Sequence, residues 1–250
     1  MQIPPDWLLP DWPAPAHVQA VFTTRQGGVS HAPYEAMNVG DHVGDDPASV
    51  AHNREVLARA LGVAPQYLQQ IHGTDVLELP LLGVPCADAV MTREPAQVCT
   101  IMVADCLPVL FTDCAGTFVA AAHAGWRGLV GGVLHQTVHE VTAKYGVDAT
   151  DIIAWLGPCI GPQAFEVGPE VRAAFVNQHA GNAQHFKAKG LKFDADLPAL
   201  ARDQLRAAGL KAMYGNDSSQ AWCTVSQPSR FFSHRRDRVS GRMAACIWLR

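Results

Sequence analysis

The sequence is poor in charge and has no concentration of basic residues. Charged side chains make up 17% of the 250 residues, the formal net charge is −4, and most of the 19 Lys and Arg are scattered. A surface that binds nucleic acid or an anionic membrane carries a basic patch or stripe. The one short basic cluster, His234–Arg238, is more typical of a solvated turn. We therefore predict neither nucleic acid nor a membrane as a partner.

The sequence also lacks paired cysteines and an export signal. Its seven cysteines are an odd number without a Cys-x-x-Cys pair, which is typical of reduced thiols in a cytoplasmic protein. Two of them, Cys99 and Cys246, lie in apolar runs and are predicted to be core residues. Residues 1–17 have no basic segment and contain two aspartates and several prolines. They predict neither a signal peptide nor a transmembrane span, so we expect a cytoplasmic protein.

No repeat or low-complexity linker divides the chain, so residues 1–250 are expected to form one domain. Strand-like runs alternate with helical segments, which predicts an α/β fold with mixed sheets. One helix is predicted to begin at Asp46-Pro47 and to stop at Gly62. The clearest helix follows "HAGWRG", where apolar residues between Val130 and Val141 recur at helical spacing and form one inward face.

Three residues share a context that is typical of active sites. His72 in "QQIHGTD", Cys106 in "VADCLP" and His123 in "AAAHAGWRG" each follow an apolar, strand-like run and precede a Gly or a Pro. Site residues of α/β proteins converge where strands end. Two histidines and one cysteine are a suitable ligand set for zinc, and a fourth position open to water would make the site catalytic.

The spacing of these three residues leaves other interpretations open, because no two of them lie within one helical turn. They are equally consistent with two hydrogen-bonded histidines and a buried thiol. Alternatively, a Cys106 thiolate paired with His123 has the layout of a cysteine hydrolase. In that case Asp105 would orient or polarise a member of the site.

Two arginines beside glycine turns indicate anion binding. Arg127 of "HAGWRGL" falls in the first turn of the clearest helix, whose N–H groups and dipole favour a phosphate. Arg25 of "FTTRQGGVS" precedes a Gly-Gly turn and Ser30. Each arginine is also explained as a structural residue that binds carbonyl groups.

His135 and His139, spaced i, i+4, lie opposite the apolar helix face and are predicted to face solvent.

The sequence closely resembles the YfiH family over nearly its whole length. The matching motifs are "TTRQGGVS", "PYEAMNVGDHVGDDPASVAHNR", "QQIHGTDV", "ADAVMT", "VADCLPVLF", "AAHAGWRGL", "GPCIGPQAFEVG" and "FFSHRRDRVSGRMAACIWL". Members are described as multicopper polyphenol oxidoreductases (laccases) or as purine nucleoside phosphorylases. The resemblance implies one zinc ion held by His72, Cys106 and His123. It also implies a layered α/β/β/α arrangement of mixed sheets, related to toxin deamidases that use a Cys–His pair.

The activities implied by the resemblance act on purine nucleosides. They are phosphorolysis of adenosine, inosine and methylthioadenosine to the base and ribose 1-phosphate, and deamination of adenosine to inosine. Arg25, Ser30 and Arg127 are then expected to bind phosphate or substrate. Asp105 and Glu166 are expected to transfer protons or to support the metal ligands.

The laccase description conflicts with the ligands that the sequence offers. Multicopper oxidases need many histidines, largely in His-x-His pairs, whereas this chain has 11 His and no such pair. The trio is able to hold a single copper, because copper binds nitrogen ligands more tightly than zinc. One copper does not reduce oxygen to water as a laccase does, so bound copper is expected to be adventitious. Polyphenol oxidation remains an alternative, as do a cysteine hydrolase or amidase and a non-catalytic nucleotide- or partner-binding protein.

Two departures from the family pattern leave the trio untouched. Phe165 stands where the family usually has Tyr, which removes a hydroxyl near the site, and "RVSGR" replaces a "GxTGR" pattern. The sequence leaves the oligomeric state and the physiological nucleoside open.

Overall fold

The computed structural model describes residues 2–250, which contain both strands and helices. The strands are β1 (Val18–Phe22), β2 (Pro65–Gln66), β3 (Val76–Glu78), β4 (Ala89–Thr92), β5 (Val98–Val103), β6 (Leu107–Asp113), β7 (Val119–Ala124), β8 (Ile152–Leu156), β9 (Glu166–Val167), β10 (Phe186–Lys189), β11 (Lys192–Ala195), β12 (Ala212–Gly215) and β13 (Met243–Leu249). The α-helices are α1 (Pro47–Leu61), α2 (Trp126–Gly131), α3 (Val133–Tyr145), α4 (Pro169–Gln178), α5 (Leu197–Ala207) and α6 (His234–Asp237).

Within residues 2–250 the strands form three sheets. A four-stranded sheet has the order β1-β13-β5-β2, a six-stranded sheet has the order β12-β8-β6-β7-β4-β3, and a small sheet has the order β10-β11-β9. The two larger sheets are mixed. In the first, β2 is parallel to β5 while β13 is antiparallel to it. In the second, β3 and β12 form parallel edge pairs beside antiparallel central strands.

The two larger sheets pack face to face. Phe22 and Ile101 of the four-stranded sheet share one buried core with Leu110 and Trp155 of the six-stranded sheet. All four side chains are almost fully buried, so this interface removes a large apolar area from water.

Helices cover the two outer faces. Leu57 of α1 packs with Val21 on the outer face of the four-stranded sheet. Leu134 of α3 and Leu200 of α5 pack with Val109 on the outer face of the six-stranded sheet. The order of layers is therefore α/β/β/α, which confirms the predicted mixed α/β architecture. The relation to toxin deamidases stays a prediction.

Helix α1 has the predicted ends. The Asp46 side chain accepts a hydrogen bond from the Ser49 N–H at 2.9 Å, and Gly62 closes the helix in the left-handed region with φ 76°. The prediction of a single helix after "HAGWRG" is wrong. Gly132 adopts φ 94° and separates two helices, α2 and α3. The inward face of α3 is confirmed from Val133 to Val141. No helix among residues 2–250 combines the length and apolarity that crossing a membrane requires.

The connection from β5 to β6 is the feature of the fold that positions the site. Residues 104–106 carry the chain from the four-stranded sheet into the six-stranded sheet. Asp105 adopts the left-handed conformation there, with φ 85°. A non-glycine residue in this region is uncommon and often marks a functional turn.

Candidate metal centre

The fold brings the predicted trio together. One ligand atom from each of His72, Cys106 and His123 lies within 4.8 Å of the other two. His72 Nε2 is 3.7 Å from Cys106 Sγ, and the two imidazole rings lie edge to face with centroids 4.8 Å apart. Zinc bonds of about 2.3 Å to sulfur and about 2.0 Å to nitrogen place tetrahedral S and N ligands about 3.5 Å apart. The donor set, and the 3.7 Å between the Cys106 sulfur and the His72 nitrogen, therefore fit a zinc-sized ion.

Each ligand comes from a different structural setting. Cys106 ends the crossing between the sheets, and His123 lies near the end of β7 with only 3% of its surface exposed. His72 lies in a loop, in the left-handed conformation with φ 62°. The strand-like run predicted before His72 does not form a regular strand, because Gln69 makes only an isolated bridge with Cys86.

Asp88 connects the two histidines and was not identified from the sequence. Its carboxylate is fully buried and lies 2.7 Å from His123 Nδ1. It also accepts the backbone N–H groups of Ile71, His72 and Gly73, at 2.6–3.1 Å. Asp88 therefore fixes the loop that carries His72 and holds His123 with Nε2 free for a metal, as carboxylate–histidine pairs do in metal sites. The acid inside the apolar stretch "ADAVMT" was the available signal.

Without a metal, the site holds a negatively charged Cys106 beside a positively charged His123. Burial raises the pKa of the Cys106 thiol, but the positive charge and hydrogen bond of His123, with help from His72, lower it to about 6. Burial lowers the pKa of His123, while the Cys106 thiolate and Asp88 raise it to about 9. Burial also raises the pKa of Asp88, and its bonds with His123 and Gly73 bring the pKa below its usual range. The sulfur is thus a thiolate at neutral pH, the form that binds metals and attacks electrophiles.

The two glycines of "HAGWRG" permit close packing around the ligands. A Cβ on Gly125 would lie 2.7 Å from His72 Cδ2 and 2.9 Å from Cys106 Sγ. A Cβ on Gly128 would lie 3.0 Å from the Gly73 carbonyl oxygen. All three distances are shorter than ordinary contacts, so side chains at these positions would displace the loop or the ligands.

A cavity of about 210 Å³ adjoins the trio and is lined by His72 and Cys106. Its apolar wall consists of Trp126, Ile160, Phe165 and Leu197. Its basic residues are Arg127, His234, Arg235 and Arg238. Two larger surface hollows, of about 320 and 330 Å³, lie away from the trio. The cavity at the trio combines a reactive centre, an apolar surface and positive charge, as ligand sites commonly do.

Asp105 lines the cavity and joins its walls. Its carboxylate accepts hydrogen bonds from Thr224 Oγ1 at 2.5 Å and from the Arg235 N–H at 2.6 Å. Its backbone carbonyl accepts from the Ile160 N–H at 2.9 Å. Both carboxylate oxygens are therefore engaged, and the residue next to Cys106 fixes three segments of the cavity.

Of the two arginines predicted to bind an anion, Arg127 lines the cavity and Arg25 does not. Arg127 is exposed, and its guanidinium lies 4.3 Å from the centroid of the Trp126 ring. Stacking of this kind leaves the in-plane N–H donors available for an anion.

Arg25, Ser30 and Glu166 do not line this cavity. Arg25 donates to the carbonyl oxygens of Glu35 and Pro228, each at 2.9 Å, as expected for a structural carbonyl-binding arginine. The Ser30 hydroxyl donates to Asp45 at 2.7 Å. The Glu166 side chain forms ion pairs with Lys192 at 2.7 Å and Lys189 at 3.5 Å. This geometry gives no support to their predicted roles in phosphate binding or proton transfer.

The turn predicted for His234–Arg238 is present and partly exposed, but His234, Arg235 and Arg238 also face the cavity, which the sequence does not indicate. The N–H of Arg235 binds Asp105, and this bond brings α6 against the site. A buried acid such as Asp105 requires donors, but sequence alone does not show where they lie.

Two other predictions are confirmed: His135 and His139 are exposed, and Cys99 and Cys246 are fully buried.

Known proteins are similar to this chain in sequence and fold. Residues 19–250 match the family model described as multi-copper polyphenol oxidoreductase laccase. The purine nucleoside phosphorylase PA4543 of Pseudomonas aeruginosa is 50% identical over 245 residues, covering 97% of this chain and 98% of the relative. The purine nucleoside phosphorylase YfiH of Escherichia coli is 48% identical over 248 residues, with the same coverages.

A solved structure agrees with this similarity. The crystal structure of the Neisseria meningitidis protein NMB0706 has a TM-score of 0.91 and 47% sequence identity. The match covers 98% of this chain and 99% of that one. The similarity extends over whole chains in both sequence and structure, and the chain belongs to the YfiH family.

Proposed function

We propose that this protein is a zinc-dependent purine nucleoside phosphorylase. The observation that carries the proposal is the position of the three-ligand group at a cavity with one apolar wall and several arginines. A nucleoside presents an apolar base, and inorganic phosphate requires positive charge. The curated relatives named purine nucleoside phosphorylase support the same function.

The zinc ion would be held by His72, Cys106 and His123. When bound, it supplies Lewis-acid catalysis in the cavity. The chain's own contribution is orientation: Asp88 holds His123 through Nδ1 and fixes the His72 loop through three N–H bonds. Copper that binds these donors is adventitious, because three ligands do not make the multicopper centre of a laccase.

The purine would pack on the apolar wall, against Trp126, Ile160 and Phe165. Aromatic rings provide stacking surfaces for a base. Phe165 offers no hydroxyl, so its contribution is limited to packing. Half-buried Trp126 lies one residue from Arg127, which places the base surface next to the anion-binding group.

Arg127 would bind inorganic phosphate. In the reaction, a phosphate oxygen forms a bond to C1′ of the ribose while the bond from C1′ to the base nitrogen breaks. The electron pair of that bond leaves with the base, which takes up a proton, and ribose 1-phosphate remains. Arg127 would hold the phosphate and neutralise its charge next to the sugar.

Adenosine, inosine and methylthioadenosine are the proposed substrates, and adenosine is also proposed to undergo deamination to inosine. We place this activity in the cytoplasm, where free thiols such as Cys106 stay reduced. The test uses zinc-loaded protein and adenosine, with and without phosphate, followed by chromatography of the products. Adenine that forms only with phosphate, together with inosine that forms without it, is expected. Unchanged adenosine under both conditions would overturn the proposal.

A cysteine hydrolase is the second candidate, and one geometric observation favours it. Cys106 contacts His123, and His123 contacts Asp88. The three are thus arranged as the nucleophile, base and orienting acid of such enzymes. Metal-free protein that cleaves amide substrates, and loses this activity when Cys106 is alkylated, would favour this candidate over the phosphorylase. Activity that requires zinc would exclude it.

A further inference from the structure

We propose that Arg127 and Arg238 form an anion clamp across the cavity, and that Asp105 holds the Arg238 side of it against the metal centre. The ligand of the clamp is inorganic phosphate. This inference rests on the proposed function and adds to it a second phosphate-binding residue and a positioning residue.

The charge balance of the cavity is the first argument. Among residues 2–250, no ion pair within 4.0 Å involves Arg127, Arg235 or Arg238. The one carboxylate in the cavity lining is that of Asp105, whose two oxygens already accept hydrogen bonds from Thr224 and from the Arg235 N–H. Three arginines thus face one carboxylate and the Cys106 thiolate, so the cavity keeps an excess of positive charge in a chain whose net charge is −4. Such a site attracts a small anion.

The three arginines are not equivalent. The Arg235 guanidinium donates to the carbonyl oxygens of Ala164 and Glu166, so its role is structural. Arg127 stacks on the neighbouring tryptophan and keeps its N–H donors free. The Arg238 side chain is exposed and makes no hydrogen bond with the rest of residues 2–250. Arg127 and Arg238 are thus the two guanidinium groups available to a phosphate, which arginine binds well through paired N–H donors.

The backbone of Arg238 is the second argument. This residue ends α6 with φ 64° and ψ −56°, a conformation that a side-chain-bearing residue rarely adopts. The preceding turn is fixed by several bonds, including one from Arg236 Nη1 to the Thr224 carbonyl at 2.8 Å. Surrounding contacts thus hold an unusual conformation at the edge of the cavity, which is typical of a functional position.

Asp105 links this turn to the metal centre. It is the chain neighbour of Cys106, and its carboxylate receives the N–H of Arg235, three residues before Arg238. Thr224 donates to the other carboxylate oxygen and keeps the group in place. The phosphate site and the metal ligand are therefore joined through one side chain. Asp105 acts as a positioning residue in this arrangement.

Calorimetric titration of zinc-loaded protein with inorganic phosphate tests the clamp. Loss of charged hydrogen bonds predicts that Arg127→Gln and Arg238→Gln each weaken phosphate binding at least about tenfold. Arg230→Gln is the matched control, because Arg230 is an exposed arginine that stacks on Phe231 outside the cavity. The control is expected to bind phosphate as the parent protein does. In steady-state assays, the KM for phosphate should rise in the two clamp variants while the KM for the nucleoside stays the same.

Thr224 provides the test of positioning. Thr224→Val removes the hydroxyl that holds Asp105, and Thr224→Ser keeps it. We expect Thr224→Val to raise the KM for phosphate with an unchanged zinc content, and Thr224→Ser to restore the parent value. An equal effect of both variants, or an equal rise in the nucleoside KM, would contradict the positioning role.

The failure of the clamp and the failure of the proposed function give different results. Phosphate binding that is lost in Arg238→Gln, in a protein that does not cleave nucleosides, would support the clamp and overturn the phosphorylase. Phosphate-dependent cleavage by an Arg238→Gln variant that binds phosphate normally would overturn the clamp and support the phosphorylase. A parent protein that does not bind phosphate would overturn the clamp outright.

Discussion

Replacement of Asp88 by Asn tests the support of the metal centre most directly. One carboxylate oxygen, Oδ1, contacts His123 Nδ1 and the His72 N–H, and the other, Oδ2, accepts from Ile71 and Gly73. The amide of Asn has one acceptor oxygen, and its NH₂ group would face two donors at the other position. The change is nearly isosteric, so its effect reports charge and hydrogen bonding rather than volume.

The magnitude follows from the bonds that are lost. A hydrogen bond to a charged group contributes about 1.5–3 kcal/mol, so two lost bonds lower the free energy of unfolding by about 3–6 kcal/mol. Loss of the carboxylate that orients a ligating histidine weakens metal affinity by about 10- to 100-fold. We therefore expect Asp88→Asn to lose both stability and zinc affinity while it keeps the three ligands.

Two assays measure these effects. Competition with a chromophoric chelator gives the zinc affinity, and denaturant unfolding of the metal-free protein gives the stability. Asp203→Asn is the matched control, because Asp203 also pairs with a histidine, His185 at 2.6 Å, far from the trio in sequence and outside its cavity. If Asp88→Asn bound zinc as tightly as the control, Asp88 would not orient the ligands and this account of the site would be refuted.

Two further predictions concern the same centre. Gly125→Ala would place a methyl group 2.9 Å from Cys106 Sγ at a position with an ordinary φ of −65°. Elemental analysis should therefore find less zinc in this variant than in Gly62→Ala, whose added Cβ meets open space and whose backbone strain, at φ 76°, lies at the end of α1. Equal zinc contents would contradict the packing argument. Because the pKa of Cys106 is lowered to about 6, its thiolate forms above that pH, and the rate of its alkylation in metal-free protein should rise through pH 6 and level off. His123→Gln removes the main favourable charge and should move this rise to higher pH, and an unmoved midpoint would show that His123 does not lower the pKa.

The sequence predicts features that depend on neighbouring residues. The ends of α1 follow from a local cap at Asp46 and a left-handed glycine at Gly62, and both form as expected. The α/β class follows from alternating apolar periods, which the layered sheets reproduce. The trio is an exception to this local rule: the family motifs, rather than spacing, predict it as a group, and the fold brings the three candidate ligands together.

The sequence does not predict features that depend on contacts between distant segments. Asp88 reads as one acid among others until the fold places it against the His72 loop. Nothing in the sequence places the exposed Arg238 at the cavity; the bond from the Arg235 N–H to Asp105, 130 positions away in the chain, brings its turn there. In the opposite direction, Arg25 has the pattern of an anion-binding residue, but two carbonyl groups occupy its donors. Hydrogen-bond partners of this kind are set by topology, which a single sequence does not reveal.

The position of Cys106 at the crossing between the two large sheets has a consequence for assembly. Its sulfur reaches its place only when β5 has joined the four-stranded sheet and β6 has joined the six-stranded sheet. His123 is then supplied by the strand paired with β6, and His72 by a loop tied to β4 through Asp88. The complete set of donors therefore requires both sheets, and tight metal binding would mark a chain in which both have formed. A ligand that binds only the folded chain also stabilises it, so the proposed zinc ion would couple metal supply to folding yield.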